Sequence, residues 1–491
     1  MYYKILSKIP SAVLIDSKQI EDKIDPNYNN ALYIEYLDNQ YDVINYSVSK
    51  NGDIIEELTD YTANGSFAWL KDNVSYSDNT GIPFVKIKNI TDNGFDFNDL
   101  VYVDIDTYTK LKKSQLNGGE LLFSKTGSVG LTLVVPKDCD KMSLADNIFK
   151  VIYKSDIDVH YVDAFYKSKY GKMWVKRLLQ GGVQPTIIKE SFRQIKIPIP
   201  SKEIQKYIGD KVRKAEELRE EAKRLKKEAE EILNNELNKN KADRFNIKNE
   251  YIFINDKPNI LYVSEELIDN TRIEAVFYKK EDLEIDSKLV EYKHGYKLLK
   301  DICVKITDGT HKTPTYIENG VTFISSKNIL EDEIDFENVK YISKEEHKEI
   351  SKRCNVEHGD LLFTKIGRIG YAKVVPDKLD TFSIFVSVAL LKLKKKVIDE
   401  YFLQVFLNSE YGKKQSKRLS KGSNQPDFHL EDIGQLKIPI LPIEIQKEIG
   451  NKMRKVEELK YDVRVLIHEA KQDVEDLIEG NFDMSKIKKI N

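Results

Sequence analysis

The sequence predicts an α+β protein built as a tandem repeat. Two similar mixed α/β domains are each followed by a long helix, and the two helices pair as a coiled coil. Three observations carry this: an apolar seam on two charged stretches, an internal repeat that reaches into both, and short β-branched runs bounded by turns ahead of each.

The seam of the first stretch, Ser201 to Leu237, is Ile204, Ile208, Val212, Ala215, Leu218, Ala222, Leu225, Ala229 and Ile232. In the second, Pro442 to Ile478, it is Ile445, Ile449, Met453, Val456, Leu459, Val463, Leu466, Ala470, Val474 and Leu477. Steps of three and four place these residues on one face of a helix. Neither helix has a core of its own, but two seams can bury each other, and steps averaging 3.5 predict a coiled coil. At 1.5 Å per residue each arm is roughly 50 Å long.

The repeat is direct. QIKIPIP precedes the first helix and QLKIPIL the second, and from Ile195 to Leu218 the chain is identical at 16 of 24 positions to the segment 241 residues later. A repeat of this length is a duplicated domain with its helix. The expected boundaries are 1–200, 201–241, 242–441, 442–480 and a tail, 481–491.

Composition fits folded domains: 491 residues, 41% hydrophobic and 32% charged, enough to give each half a core. No apolar run approaches a membrane span and MYYKILSKIPSAVLIDS lacks the layout of a signal peptide, which places the chain in the cytoplasm. Cys139, Cys303 and Cys354 are scattered with no neighbouring histidine, so neither a disulfide frame nor a metal site is expected.

The net charge of −2 argues against a generic nucleic-acid binder, but its distribution is uneven. Residues 1–60 hold eleven carboxylates against five lysines, whereas Phe165 to Pro200 holds eight basic residues against Glu190 alone. The second half repeats the basic stretch as Lys413, Lys414, Lys417, Arg418 and Lys421, with only Glu410 opposing. A polyanion would meet these stretches first.

Taken in order, PSAVLIDSKQIEDKIDPNYN and PNILYVSEELIDNTRIEAVFY form a lead-in to each half, with Ile24 and Tyr28 matching Ile273 and Phe277. Pro83 to Ile90, Leu121 to Ser124 and Leu131 to Val135 read as strands. Between the last two lies GGELLFSKTGSVGLTLVV, echoed by HGDLLFTKIGRIGYAKVV at 358–375. The Walker spacing is absent and no helix follows the glycines, so this is a hairpin whose glycines take positive φ. Lys125, Lys365 and Arg368 at its tip could reach a phosphate or a base edge. One helix follows in each half, HYVDAFYKSKYGKMWVKRLLQGG and DEYFLQVFLNSEYGKKQSKRLSKGS, ended by glycine and by Gln184-Pro185 or Gln425-Pro426. Val162, Phe165, Tyr166, Trp174 and Leu178 are its core side, and NKNKADRFNIKNE leads into the second half. The loop ITDGTHKTPTY at 306–316 can present several donors and acceptors. The first half offers only ELTDYTANGSFAWL at 57–70 in its place.

Together, ITDGTHKTP, GDLLFTKIGRIG and KIPILPIEIQKEI resemble the specificity subunit of type I restriction-modification systems, along essentially the whole chain. The resemblance implies two target-recognition domains, each reading half of a split site in double-stranded DNA. It also implies that the two helices run antiparallel, which relates the halves by a pseudo-two-fold axis, and that the pair acts as a ruler and docks two methyltransferase subunits, with motor-nuclease subunits joining for restriction. DNA contacts are expected from Lys86, Lys88, Lys125, Thr126, Lys176, Arg177 and Gln184 in the first half. In the second half they are expected from Thr307, Asp308, Thr310, His311, Lys312, Lys327, Lys365, Arg368, Lys417, Arg418 and Gln425. The lysines and arginines of hairpin and helix would hold phosphates, and Thr307 to Lys312 would read bases. No N-P-P-Y or D-P-P-Y element, glycine-rich loop for a methyl donor or nuclease cluster of carboxylates is found, so no catalytic residue, metal or cofactor is expected. The alternatives are a targeting subunit for one fused methylase-nuclease polypeptide and a restriction endonuclease with degenerate motifs.

Overall fold

The computed structural model describes residues 33–38, 46–77, 80–91, 94–97, 100–181, 184–239, 251–254, 257–261, 275–336, 338–377, 380–394, 396–422 and 426–488. The lead-in residues Ile24, Tyr28 and Ile273, the segment 240–250 and Gln425 lie outside them. The chain divides into two compact units, Met1–Glu220 with Leu459–Asn491, and Glu221–Glu458.

In the first unit the principal elements are strands β1 (Ser47–Lys50), β2 (Ile55–Asp60), β3 (Ile82–Val85), β4 (Leu121–Ser124), β5 (Thr132–Val134), β6 (Met142–Leu144) and β7 (Ile148–Tyr153), helices α1 (Val159–Lys167) and α2 (Lys169–Arg177), strand β8 (Lys196–Ile199) and the long helix α3 (Lys202–Asn238). Among the described residues, β5, β4, β7 and β2 form one antiparallel sheet in that order. A second sheet contains β3 paired parallel to β6, and β1 pairs with β8.

Successive residues of a strand face opposite sides of its sheet, and here both sides are buried. Leu121, Phe123, Val134, Phe149 and Val151 pack with Tyr161, Phe165, Tyr166 and Trp174 of the helices, in a core that continues into Ile204, Ile208 and Val212 of α3. Leu122, Leu133 and Ile148 point the other way, against Val85, Met142 and Leu144 of the second sheet. Burial on both faces is why LLF is an unbroken apolar run.

The second unit repeats the plan with β9 (Tyr296–Leu298), β10 (Cys303–Asp308), β11 (Val321–Ile324), β12 (Leu361–Thr364), β13 (Ala372–Val374), β14 (Phe382–Ile384), β15 (Val388–Leu393), α4 (Glu400–Asn408), α5 (Glu410–Leu419), β16 (Lys437–Pro439) and the second long helix α6 (Ile443–Glu479). Its main sheet has the order β10, β15, β12, β13, β11 pairs parallel to β14, and β9 pairs with β16. Each strand thus has its counterpart in the first unit.

Both long helices have 37 residues, and the divide between the units falls inside each. In the first unit Tyr207 stacks edge-on against Phe482, and Lys211 bridges Glu469 and Asp473 at 3.0 and 2.6 Å, so α6 runs antiparallel to α3 there. In the second unit Lys452 of α6 pairs with Glu228 of α3 at 2.7 Å.

Four expectations are corrected. The helix expected across 160–182 breaks at Ser168, whose hydroxyl accepts the Gly171 N–H and caps α2; in the second unit α4 and α5 part at Ser409, whose hydroxyl caps no N–H and donates to the Phe406 carbonyl instead. The strand expected from Pro83 to Ile90 stops at Val85, because the Asn89 side chain accepts the Lys86 N–H and closes a 3₁₀ turn. At the end of α3 the buried residues are Leu233 and Leu237, with Ile232 half-buried, since a 3.6-residue helix drifts away from a 3.5-residue seam. ELTDYTANG is no gap in the repeat either: its Thr59-Asp60 ends β2 as Thr307-Asp308 ends β10, and both strands lie at the same edge of their sheets. No helix among the described residues is long and apolar enough to cross a membrane.

Candidate nucleic-acid interface

In each unit the glycine hairpin, the end of the first sheet strand and the loop after the basic helix meet at one place. The hairpin joins β4 to β5 and β12 to β13. Gly127 and Gly130 have φ of 77° and 95°, and Gly367 and Gly370 have 77° and 87°, a region open to glycine. The Gly127 N–H donates to the Pro185 carbonyl at 2.9 Å and the Gly367 N–H to that of Pro426 at 3.2 Å. Pro185 and Pro426 thus fasten the turn after each basic helix to the hairpin tip. Thr186 strengthens the first junction, its hydroxyl lying 3.0 Å from that of Thr126 and donating to the Lys125 carbonyl.

A buried aspartate stands beneath each junction. Asp60 accepts from Lys125 at 2.7 Å, from Lys189 at 3.0 Å and from Thr62 at 2.8 Å. Burial alone would raise its pKa, but the hydrogen bonds from Lys125, Thr62 and Lys189 outweigh that and hold it below the usual carboxylate value. Asp308 meets Arg353 at 3.0 Å, His311 at 3.2 Å and Lys365 at 3.7 Å, and Lys365 reaches Asp427 at 3.3 Å.

The expected contact residues therefore separate. Lys88, Lys176, Gln184, His311, Lys312, Lys327, Arg368 and Lys417 are exposed. Lys86, Thr126 and Thr310 are half-buried, with the Lys86 ammonium 5.9 Å from the ring centre of exposed Tyr76. Lys125 is half-buried and held by Asp60. Thr307, Asp308 and Lys365 are buried: a strand end and its ion pair occupy them, so the loop meets solvent through His311 and Lys312.

Arg177 and Arg418 also differ from expectation. Arg177 is buried and grips Asp38 with two hydrogen bonds of 2.8 and 2.9 Å. Arg418 stacks on Phe277 at 4.0 Å, donates to the Phe277 carbonyl and faces Asp286 at 3.5 Å. Both tie an early segment of the domain onto its basic helix, which a planar, always-charged guanidinium does well. Lys176 and Lys417, one residue earlier, point outward.

Sequence reading missed Asp60 as the partner of Lys125. The signal was available, because LTDYT at 58–62 and ITDGT at 306–310 share Thr, Asp and Thr at the same spacing. Lys189 and Arg353 carried no comparable signal. Among the described residues no group of three or more His, Cys, Asp or Glu could hold a metal ion.

The family model of the type I restriction modification DNA specificity domain matches residues 43–231 and again residues 290–464. The type I restriction enzyme MjaVIII specificity subunit of Methanocaldococcus jannaschii is 24% identical over 449 residues, 89% of this chain and 90% of that protein. The type I restriction enzyme EcoBI specificity subunit of Escherichia coli is 30% identical over 143 residues, 29% of each. Of solved structures, the S subunit of a type I restriction-modification system from M. genitalium overlays 90% of this chain and 97% of its own with a TM-score of 0.42 at 12% identity.

Proposed function

The chain belongs to the family of type I restriction-modification DNA specificity subunits, and from that premise we propose how its two units divide the work. Each carries one target-recognition domain, residues 1–200 and 242–441, and reads one half of a bipartite site in duplex DNA. The long helices set the unread gap between the halves and dock two methyltransferase subunits, with motor-nuclease subunits joining for restriction in the cytoplasm. The chain itself performs no chemistry: it selects where its partners flip and methylate a base.

The observation that carries this reading is the duplicated junction, in which Asp60 with Lys125 and Asp308 with Lys365 set the same hairpin beside the same loop in both units. Exposed Lys176 and Lys417 flank it on the basic helices, and Arg368 stands on the second hairpin. These cations suit phosphates, which position a protein without reading sequence. His311 and Lys312 suit base edges. Lys125 and Lys365, engaged with aspartates, shape the hairpin and do not hold the backbone of DNA.

The test is methylation-sensitive sequencing of DNA from cells carrying this subunit with its cognate methyltransferase. Two short half-sites separated by a fixed number of unread base pairs are expected. Exchanging residues 242–441 for those of another family member should replace one half-site and leave the other. A single continuous site, or both halves changing together, refutes the division.

A further inference from the structure

The motif that opens each long helix, EIQK followed by Ile and Gly, has no part in the junction just described, yet it is the most closely repeated stretch of the chain. Its side chains meet the start of the recognition helix. Asp158 caps α1, accepting from the His160 N–H at 3.0 Å. The Asp158 N–H donates to Gln205 Oε1 at 3.0 Å, and Gln205 Nε2 donates to the Pro200 carbonyl at 3.0 Å. Arg213, two turns along α3, grips both Asp158 carboxylate oxygens at 3.0 and 2.9 Å.

The second unit builds the same set 241 residues later. Asp399 caps α4, accepting from the Tyr401 and Phe402 N–H groups at 3.0 Å. Its N–H donates to Gln446 Oε1 at 3.2 Å, Gln446 Nε2 donates to the Leu441 carbonyl at 2.7 Å, and Arg454 donates to the Asp399 carboxylate at 2.5 Å. Both glutamines are buried, 3% and 2% exposed.

Between glutamine and arginine each helix keeps a glycine, Gly209 and Gly450. A glycine inside a helix destabilises it by about 1 kcal/mol relative to alanine, so its presence at the same place in both helices needs a reason. A Cβ at Gly209 would meet the Asp158 carboxylate at 2.7 Å, and one at Gly450 would meet that of Asp399 closer still. The glycines let the helix backbone approach the capping carboxylate. The remaining contacts are directional, with the charged, two-point grip of Arg213 strongest among them. An apolar contact alone would permit rocking, whereas these hydrogen bonds fix an angle.

We propose that the tetrads Asp158, Gln205, Gly209, Arg213 and Asp399, Gln446, Gly450, Arg454 are rigid joints that set the angle of each recognition domain on its own helix and so restrict the complex to one half-site spacing. The inference rests on the reading that the helices set the gap. Helix length alone defines a spacing only if the domains cannot swing. Each base pair added to a spacer moves a half-site by about 3.4 Å and turns it by about a tenth of a revolution. A loose joint would absorb that displacement, and a stiff one refuses it. These are positioning residues and touch no DNA in this scheme.

The experiment uses the full complex of this chain with its cognate methyltransferase subunits. The wild-type site is mapped first, and methylation rates are then measured on duplexes whose spacer is one base pair shorter, native or one longer. In the Arg213→Gln, Arg454→Gln double variant the preference for the native spacer should fall at least about tenfold, equivalent to about 1.4 kcal/mol, with the same bases read at both ends. Arg213→Lys with Arg454→Lys, which keeps charge but not the planar fork, should retain an intermediate preference. Unchanged discrimination overturns the proposal. So does a fall by one common factor on all three duplexes with a lower melting temperature, which would mark the tetrads as structural support alone. A wild-type complex with no fixed gap would refute the underlying reading before any variant is compared.

Discussion

Lys125 Nζ lies 2.7 Å from Asp60 Oδ2, and the two side chains are 18% and 5% exposed. Breaking such a pair leaves one charge without its partner in a poorly hydrated place, which is strongly destabilising, whereas removing both is far milder. Lys125→Met should lower the stability of the first recognition domain by about 2 kcal/mol or more. The double variant Asp60→Asn, Lys125→Met should be less destabilised than the sum of the singles. Thermal melts of the four proteins measure this. Additive effects with little change in Lys125→Met would return Lys125 to the role of a solvent-facing cation.

Neighbouring basic residues on one helix should behave oppositely. Lys176→Ala and Lys417→Ala remove exposed charges, so they should weaken DNA binding alike on specific and unrelated duplexes and reduce the slope of log K against log salt by about one each. Melting temperatures should not move. Arg177→Ala and Arg418→Ala break contacts to Asp38 and to Phe277 with Asp286 and should lower melting temperature while leaving the salt slope in place. Binding titrations at four salt concentrations beside melts separate the two classes.

Much of the architecture was legible in the sequence because it is periodic or repeated. The seams fixed on Ile208, Val212, Ala215, Ile449, Met453 and Val456 are buried, and the hairpins sit where LLF, basic residue and paired glycines placed them. What was illegible depends on contacts remote in sequence. Lys125 and Lys176 look alike as letters, but one has a carboxylate 65 residues away folded against it. Likewise the break at Ser168 hides inside an apolar pattern that continues through both helices. Only the local serine cap, competing with the helix for backbone donors, marks it.

Acid should loosen the first joint in a defined sense. Burial pushes the Asp158 carboxyl upward, but hydrogen bonds from His160 and Arg213 dominate and hold it well below its ordinary value. A depressed carboxyl contributes stability that is complete above its unfolded pKa of about 3.9 and is lost as pH falls toward the folded value. Between about pH 5 and pH 3 the wild type should therefore lose stability more steeply than Asp158→Asn, by up to about 1.4 kcal/mol per pH unit. Denaturant melts of both proteins across that range decide it, and parallel curves would remove Asp158 from the joint.

Length added to both helices should lengthen the recognised spacer. Leu225 and Leu466 are the insertion points the seams alone suggest, but the Lys452 to Glu228 pair puts the layer of Leu225 near Val456, on the same side of the divide between units. Inserting one heptad after Leu225 and one after Val456 keeps both seams in register and every other facing pair intact. The helical rise then adds about 10.5 Å between the recognition domains. At about 3.4 Å per base pair this is roughly three more base pairs of unread DNA. Seven residues are close to two full turns, so each domain is returned within about 20° of its former facing, and with the joints at Asp158 and Asp399 held, the remaining turn of three added base pairs has to be taken up by twist of the unread DNA. The bases read at either end should not change, because neither hairpin nor helix that reads them has been altered. Methylation mapping of the insertion variant checks both parts at once. Retention of the original spacing would show that the helices do not set it, and a changed half-site sequence would show that the recognition domains are not independent of them.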